Sequence, residues 1–205
     1  MKKVVEDPYI WQVPNSLTDE FCDELIKKFE EDPAGKKYKG IVGDGPAPDI
    51  KETYDLCIDS TPLWKNEDNF ICIKVSKMVR EYCQHVQKVV PNIDISNGIH
   101  QVRDSGYHIQ KYEPNKGFYT WHNDFSFNEE IGSRIFTFIW YLNTVEEGGE
   151  TEFTNGMKIK AEKGKLVMFP ATWTYTHRGC MPYSSEKYIL TGWLYNGWTK
   201  NGRFE

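Results

Sequence analysis

Phe118-Tyr119-Thr120-Trp121-His122-Asn123-Asp124 is the stretch on which the reading of this chain turns. As a strand it places residues two apart on one face, so His122 and Asp124 grip one metal ion while Asn123 points away. His177, on a distant strand, completes a set of two histidines and one carboxylate. That set leaves coordination positions open and is the usual holder of catalytic ferrous iron. Lys187 follows ten positions after His177 and supplies a cation in the same pocket, too far back to ligate. Its expected partner is an anion that also reaches the metal. A dicarboxylate does this, with one carboxylate and the adjacent keto oxygen on the iron and the far carboxylate on the lysine. The set is therefore built for 2-oxoglutarate.

Outward from this stretch, strands dominate. Candidates are Ile99 to Arg103, Tyr107 to Tyr112, Phe118 to Asp124, Ile135 to Leu142, Thr151 to Phe153, Met157 to Ile159, Lys165 to Phe169, Tyr175 to Arg178 and Lys187 to Tyr195. They are short, alternate apolar with polar residues, and are separated by turn chemistry such as Asn155-Gly156 and Lys163-Gly164. A hairpin through Gly179, Met181-Pro182 and Ser184-Ser185 is expected to lay the Lys187 strand beside the His177 strand. Gly148-Gly149 is expected to serve a chain turn only.

Toward the N-terminus the pattern is helical. Tyr9 to Val13 reads as a short strand, and Ser16-Leu17-Thr18-Asp19 opens a helix whose face is Phe21, Leu25, Ile26 and Phe29. Asp32-Pro33-Ala34-Gly35 ends it. A second helix fills Asn66 to Val90 with Ile71, Val75, Met78, Val79, Tyr82, Val86 and Val90 on one face, stopped by Pro91. Between them, residues 33–62 are rich in Gly, Pro, Lys and Asp and lack a helical period, which predicts a substrate lid whose return is anchored by Tyr54 to Ile58. Helices followed by a run of strands predict an α+β, mainly β fold: a double-stranded β-helix (jelly-roll) core on N-terminal support helices. One domain over 1–205 is expected, with strand, helices and lid at 9–95 and the catalytic core at 99–198.

Composition narrows the function classes. The 205 residues carry a net charge of −5 and no basic stripe beyond Lys36-Lys37-Tyr38-Lys39, which disfavours nucleic acid. Five scattered cysteines without CxxC spacing indicate neither a disulfide framework nor a zinc knuckle. The N-terminal residues meet acid and proline too early for a secretory signal, and no apolar stretch reaches membrane-spanning length. The expectation is a soluble, cytoplasmic chain, with a monomer favoured.

The segment from Ile109 to Trp193 resembles the catalytic core of the prolyl 4-hydroxylases within the Fe(II)/2-oxoglutarate oxygenases. The matching stretches run from Tyr112 to Asp124, then Arg134, Tyr141-Leu142-Asn143, Gly148 to Phe153, Phe169-Pro170, His177, and Lys187 through Trp193. Phe21 to Ile26 is similar to that family's N-terminal support helix. The resemblance implies that His122, Asp124 and His177 are the iron ligands and that Lys187 binds the far carboxylate of 2-oxoglutarate. It implies that Tyr141 donates its hydroxyl to the same carboxylate and that Tyr112 contacts co-substrate or substrate. Tyr119, Arg134 and Trp193 match positions around a substrate proline. Thr191, on the Lys187 strand, is expected to face the co-substrate pocket.

The implied cofactors and co-substrates are Fe(II), 2-oxoglutarate and O2, with ascorbate as reductant. The implied partner is a proline-containing protein or peptide. The lysine at 187 is of the collagen-type and microbial kind, whereas the Arg134 and Tyr141 neighbourhood resembles the oxygen-sensing branch, so the resemblance alone does not assign the substrate. Two alternatives stand beside the prolyl reading: the same chemistry on a free amino acid, another side chain or a small metabolite, and an inert metal-binding jelly-roll module. The complete ligand set with Lys187 and Tyr141 argues against the last.

Overall fold

The computed structural model describes residues 6–32, 37–43, 45–58, 62–93, 95 and 102–196. Strand β1 (Trp11–Val13) leads into helix α1 (Asp19–Glu31), followed by β2 (Tyr38–Lys39), β3 (Ile41–Val42), β4 (Gly45–Pro46), β5 (Lys51–Glu52) and β6 (Tyr54–Cys57). Helix α2 (Lys65–Val89) comes next, then β7 (Val102–Tyr112), β8 (Phe118–His122), β9 (Phe127–Asn128) and β10 (Gly132–Tyr141). The chain finishes with β11 (Thr151–Phe153), β12 (Lys158–Ile159), β13 (Leu166–Pro170), β14 (His177–Gly179) and β15 (Lys187–Asn196).

The helices form where capping and periodicity place them. The Thr18 hydroxyl accepts from the Phe21 amide and starts α1, and Leu25 and Phe29 carry its buried face. Ile71, Val75, Met78, Tyr82 and Val86 recur at helical spacing along α2 and are buried. Both helices cover the outer side of a larger sheet, ordered β1-β13-β10-β15-β7-β6-β2. Phe136, Phe138, Trp140, Tyr188, Leu190 and Leu194 meet them there. Each such fully buried side chain contributes roughly 1.5–3 kcal/mol. Residues of the same sheet that turn to the other side, Ile139, Tyr141, Phe169 and Ile189, build a second core with Phe153 and Ile159 of the facing layer. That layer is a smaller sheet, β12-β11-β14-β8-β5. The two sheets make the expected jelly-roll sandwich.

Several expectations are corrected. Within the expected lid at 33–62 the described residues are no bare loop: β5 joins the smaller sheet beside β8, β6 joins the larger beside β7, and β3 and β4 pair with each other. Their runs are too short for a period to register in the sequence. The return strand is present as β6. The expected breaks before Tyr107 vanish into one long β7, which absorbs an irregularity opposite Gly192 and Leu194. Strand β8 ends at His122, not Asp124. Strands β14 and β15 are not hairpin neighbours, since β14 pairs with β8 and β11 while β15 pairs with β10 and β7. The chain between them crosses from one sheet to the other. Strand β9 was not foreseen, and the candidate strand at 99–101, His100 and the stop at 33–35 lie outside the described residues.

Candidate metal centre

His122 and His177 end up side by side because β8 and β14 pair antiparallel with these two residues in register. Their ring centroids are 4.3 Å apart. Each Nδ1 faces a main-chain carbonyl, Thr120 O at 2.8 Å and Tyr175 O at 3.0 Å. A carbonyl only accepts, so each Nδ1 donates, which leaves Nε2 as the nitrogen of each ring able to ligate. Asp124 arrives by a turn, and Asn123 does not simply point away. Its Oδ1 accepts from the Phe125 amide at 3.1 Å and bends the chain just past the strand end. The Asp124 carboxylate then lies 3.9 Å from His122 Nε2 and 3.6 Å from His177 Nε2. Thr137 of the facing sheet donates to its Oδ2 at 2.8 Å.

The three donor atoms lie within 4.8 Å of one another. Burial, reinforced by His177, pushes the His122 imidazole down to about 4, so it is neutral and available as a ligand at neutral pH. Two imidazoles oriented by carbonyls and one carboxylate oriented by a hydroxyl are the donor chemistry and outer support that a ferrous ion takes. The residues fit the metal.

They open onto a cavity of about 520 Å³. Strand β15 lines it with Lys187, Ile189, Thr191 and Trp193, every second residue as the pleat requires. Lys187 is 1% exposed. Its Nζ donates to Gly149 O at 3.1 Å and stands 4.0 Å over the Tyr112 ring. No carboxylate among the described residues pairs with it, and burial pushes the ammonium down to about 8. Gly149, at φ +74°, therefore gives its carbonyl to this lysine as well as turning the chain.

The remaining predicted residues fall into place unevenly. Tyr112 lines the cavity, its hydroxyl donating to Gln110 Oε1 at 3.1 Å. Thr191 lines it too and donates to Phe138 O at 2.7 Å. Tyr141 is buried one layer behind, donating to Thr151 Oγ1 at 2.6 Å, and Thr151 is the residue at the wall. Tyr119 stacks on His122 at 3.5 Å with 12° between the planes. Arg134 lies 4.1 Å over the Trp193 ring and donates to the Tyr195 hydroxyl at 2.7 Å. The Trp193 indole nitrogen is buried with no hydrogen-bond partner among the described residues.

A bulge brings Arg134 to the site. Opposite β15 the register slips between Arg134 and Phe136, so Ile135 and Phe136 both pack toward the helices. Arg134 is thereby returned to the face of Thr137 and Ile139. Sequence reasoning missed Thr137, Gln110, Thr151 and Lys51 as lining residues. Thr137 and Thr151 sit at inward positions of strands that had been recognised, so the alternation held the signal. Lys51, in a two-residue strand, gave none.

Comparisons with known proteins agree with this geometry. Residues 107–195 match the model of the 2OG-Fe(II) oxygenase superfamily. The chain is 26% identical over 214 residues to probable prolyl 4-hydroxylase 7 of Arabidopsis thaliana, covering 92% of this chain and 63% of that relative. It thus spans under two thirds of the relative's length. Viral collagen prolyl hydroxylase from Paramecium Bursaria Chlorella virus-1, solved as its 2OG complex, superposes with a TM-score of 0.64 at 21% identity, covering 91% of this chain and 95% of that one. A Trichoplax adhaerens prolyl hydroxylase, solved with a hypoxia inducible factor peptide fragment, gives a TM-score of 0.67 at 16% identity, over 92% and 84% of the two chains. The fold is the double-stranded β-helix shared with these two structures. The matched residues 107–195 include all three donors of the His122, Asp124 and His177 set.

Proposed function

We propose, on the premise that this chain is a prolyl 4-hydroxylase-like 2-oxoglutarate/Fe(II) oxygenase, that it hydroxylates a prolyl residue in a protein or peptide. His122, Asp124 and His177 would hold the iron. Together with 2-oxoglutarate and oxygen, bound iron supplies an oxidative hydroxylation in which 2-oxoglutarate leaves as succinate and carbon dioxide. The protein's own residues bind, orient and exclude water. Lys187 meets the far carboxylate of 2-oxoglutarate, Tyr112 and Thr191 bound its seat, and Tyr141 supports that end through Thr151. Ile139 and Ile189 keep the wall apolar. Tyr119, Arg134 and Trp193 hold the substrate, with the arginine as donor to its carbonyls and the two rings as aromatic walls.

The observation that carries the reading is a metal-ligand triad and a buried lysine without a carboxylate partner, lining one cavity. The peptide reading is favoured over a small metabolite by apolar residues exposed at the lining, Ile41 and Phe125 at 47% and 53%. A single catalytic unit over the chain, a monomeric state and a cytoplasmic location belong to the same proposal. Support for the location is that the five cysteines form no disulfide with one another and that no helix among the described residues is long and apolar enough to cross a membrane. The net charge of −5 supports a partner other than nucleic acid.

The test is anaerobic reconstitution with ferrous iron, 2-oxoglutarate, ascorbate and a panel of proline-containing peptides beside free proline, followed by admission of air. A peptide gaining one oxygen in step with succinate is the expected result. Succinate with free proline or with no peptide product would move the substrate to the small-molecule class. A Co(II)-binding protein that forms no succinate with any partner would favour the inert module.

A further inference from the structure

A second polar cluster borders the cavity, reaching its lining through Lys51 and Gln110. Lys51 and Asp55 are buried, 5% and 3% exposed, and paired at 2.6 Å. Lys51 lies on β5 of the smaller sheet and Asp55 on β6 of the larger, so the pair bridges the two layers. The Lys51 ammonium stands 5.4 Å from the Tyr119 ring, and that ring lies flat on His122. Asp55 accepts from the Thr53 hydroxyl at 2.7 Å and from Gln110 Nε2 at 3.2 Å. The same Gln110 accepts from the Tyr112 hydroxyl, whose ring lies beneath Lys187.

Two arms therefore leave one ion pair. The first runs Asp55, Lys51, Tyr119, His122 to the metal end. The second runs Asp55, Gln110, Tyr112, Lys187 to the co-substrate end. A buried ion pair is a poor source of stability, because desolvating two charges offsets most of their attraction and an apolar pair of similar volume often serves as well. Its cost points to a positional task. The packing around it leaves little slack: a Cβ on Gly40 would strike Thr53 Oγ1 and come within 2.9 Å of the Lys51 side chain.

We propose that the Lys51–Asp55 pair is a positioning unit, in which Lys51 fixes Tyr119 against His122 and Asp55, through Gln110 and Tyr112, fixes the seat of the Lys187 ammonium. One pair, supplied by the segment between the helices, sets both ends of the site. The proposal rests on the reading of His122, Asp124 and His177 as the metal ligands.

The double variant Lys51→Met/Asp55→Asn removes both charges and avoids stranding one of them. Gln110→Met cuts the second arm alone. Thermal melting reports the fold. Co(II) titration followed by its d–d absorption reports the metal end, and calorimetric titration of 2-oxoglutarate into the Co(II)-loaded protein reports the other. We expect the double variant to melt near the wild type while binding Co(II) at least tenfold more weakly. Gln110→Met is expected to keep wild-type Co(II) affinity and to bind 2-oxoglutarate severalfold more weakly.

Wild-type affinities for both ligands in a folded double variant would overturn the proposal and leave the metal assignment standing. If the double variant does not fold, Gln110→Met decides: unchanged 2-oxoglutarate binding overturns the proposal, and weakened binding with intact Co(II) affinity supports it. A wild-type protein that takes no Co(II), or takes it equally well as His177→Ala, would overturn the metal reading and this proposal with it.

Discussion

Two lysines are buried against the same cavity, and they are buried in opposite ways. Lys51 has Asp55 at 2.6 Å, while Lys187 has a main-chain carbonyl at 3.1 Å and a tyrosine ring at 4.0 Å. A buried charge with its counter-ion is finished as an electrostatic object and serves to hold its neighbours. One without is incomplete until an anion arrives, which is why burial depresses Lys187 toward neutrality. Exposure alone, 5% against 1%, does not separate them. The partner does.

The comparison presumes a metal between the two walls, so the largest effect comes from removing its ligands. His122→Ala or Asp124→Ala is expected to abolish iron-dependent turnover and Co(II) binding while the circular dichroism spectrum stays native. Full turnover in either variant would break the assignment from which both lysines take their roles. Next in size is stability. Lys51→Ala leaves Asp55 buried and unpaired, which costs about 3–5 kcal/mol. For a chain of this length that corresponds to a melting point lowered by about 6–20 °C. Lys187→Ala strands no carboxylate and is expected to melt no lower than the wild type. Equal losses in the two variants would erase the distinction.

Function should divide the other way. Lys187→Ala removes a charge-assisted contact worth roughly 1.5–3 kcal/mol, so the 2-oxoglutarate KM is expected to rise about 10- to 150-fold with a smaller change in kcat. A KM that does not move would place Lys187 outside the co-substrate seat.

How much of this was legible beforehand followed from how local each signal was. His122, Asp124 and Lys187 stood out because their spacing constrains them within one or two strands. The pairing of His122 with His177 is non-local, yet the number of strands left few other arrangements. The placement of β15 beside β14 failed for the same reason: adjacency in sequence was taken for adjacency in a sheet, although the segment from Cys180 to Glu186 carries the chain across the sandwich. Arg134 had the right neighbourhood by resemblance, but period-two counting alone sets it on the helix side of Thr137. Only the bulge at Ile135 corrects that. Tyr141 sits on the inward face as its strand demands, and what the sequence does not reveal is that Thr151 takes its hydroxyl. Lys51 and Asp55 were invisible, because their pairing depends on two very short strands entering different sheets.

The smallest effect is one of pH, and it sharpens the comparison most. Burial pushes the Lys187 ammonium from 10.5 to about 8. In the free protein the charge is present below about pH 8 and lost above it. The far carboxylate of 2-oxoglutarate needs that charge, so affinity is full on the acid side of this value and falls on the alkaline side. One unit above it only about a tenth of the molecules are charged, which raises the KM roughly tenfold between pH 7 and pH 9. Lys187→Arg keeps its charge throughout this window and is expected to give a flat profile. The double variant Lys51→Met/Asp55→Asn should keep the wild-type slope, whatever its absolute affinity, because the group that titrates is untouched. A slope that disappears in the double variant and survives in Lys187→Arg would reverse the assignment: Lys51 would be the seat of the anion, and Lys187 the lysine that merely holds the wall.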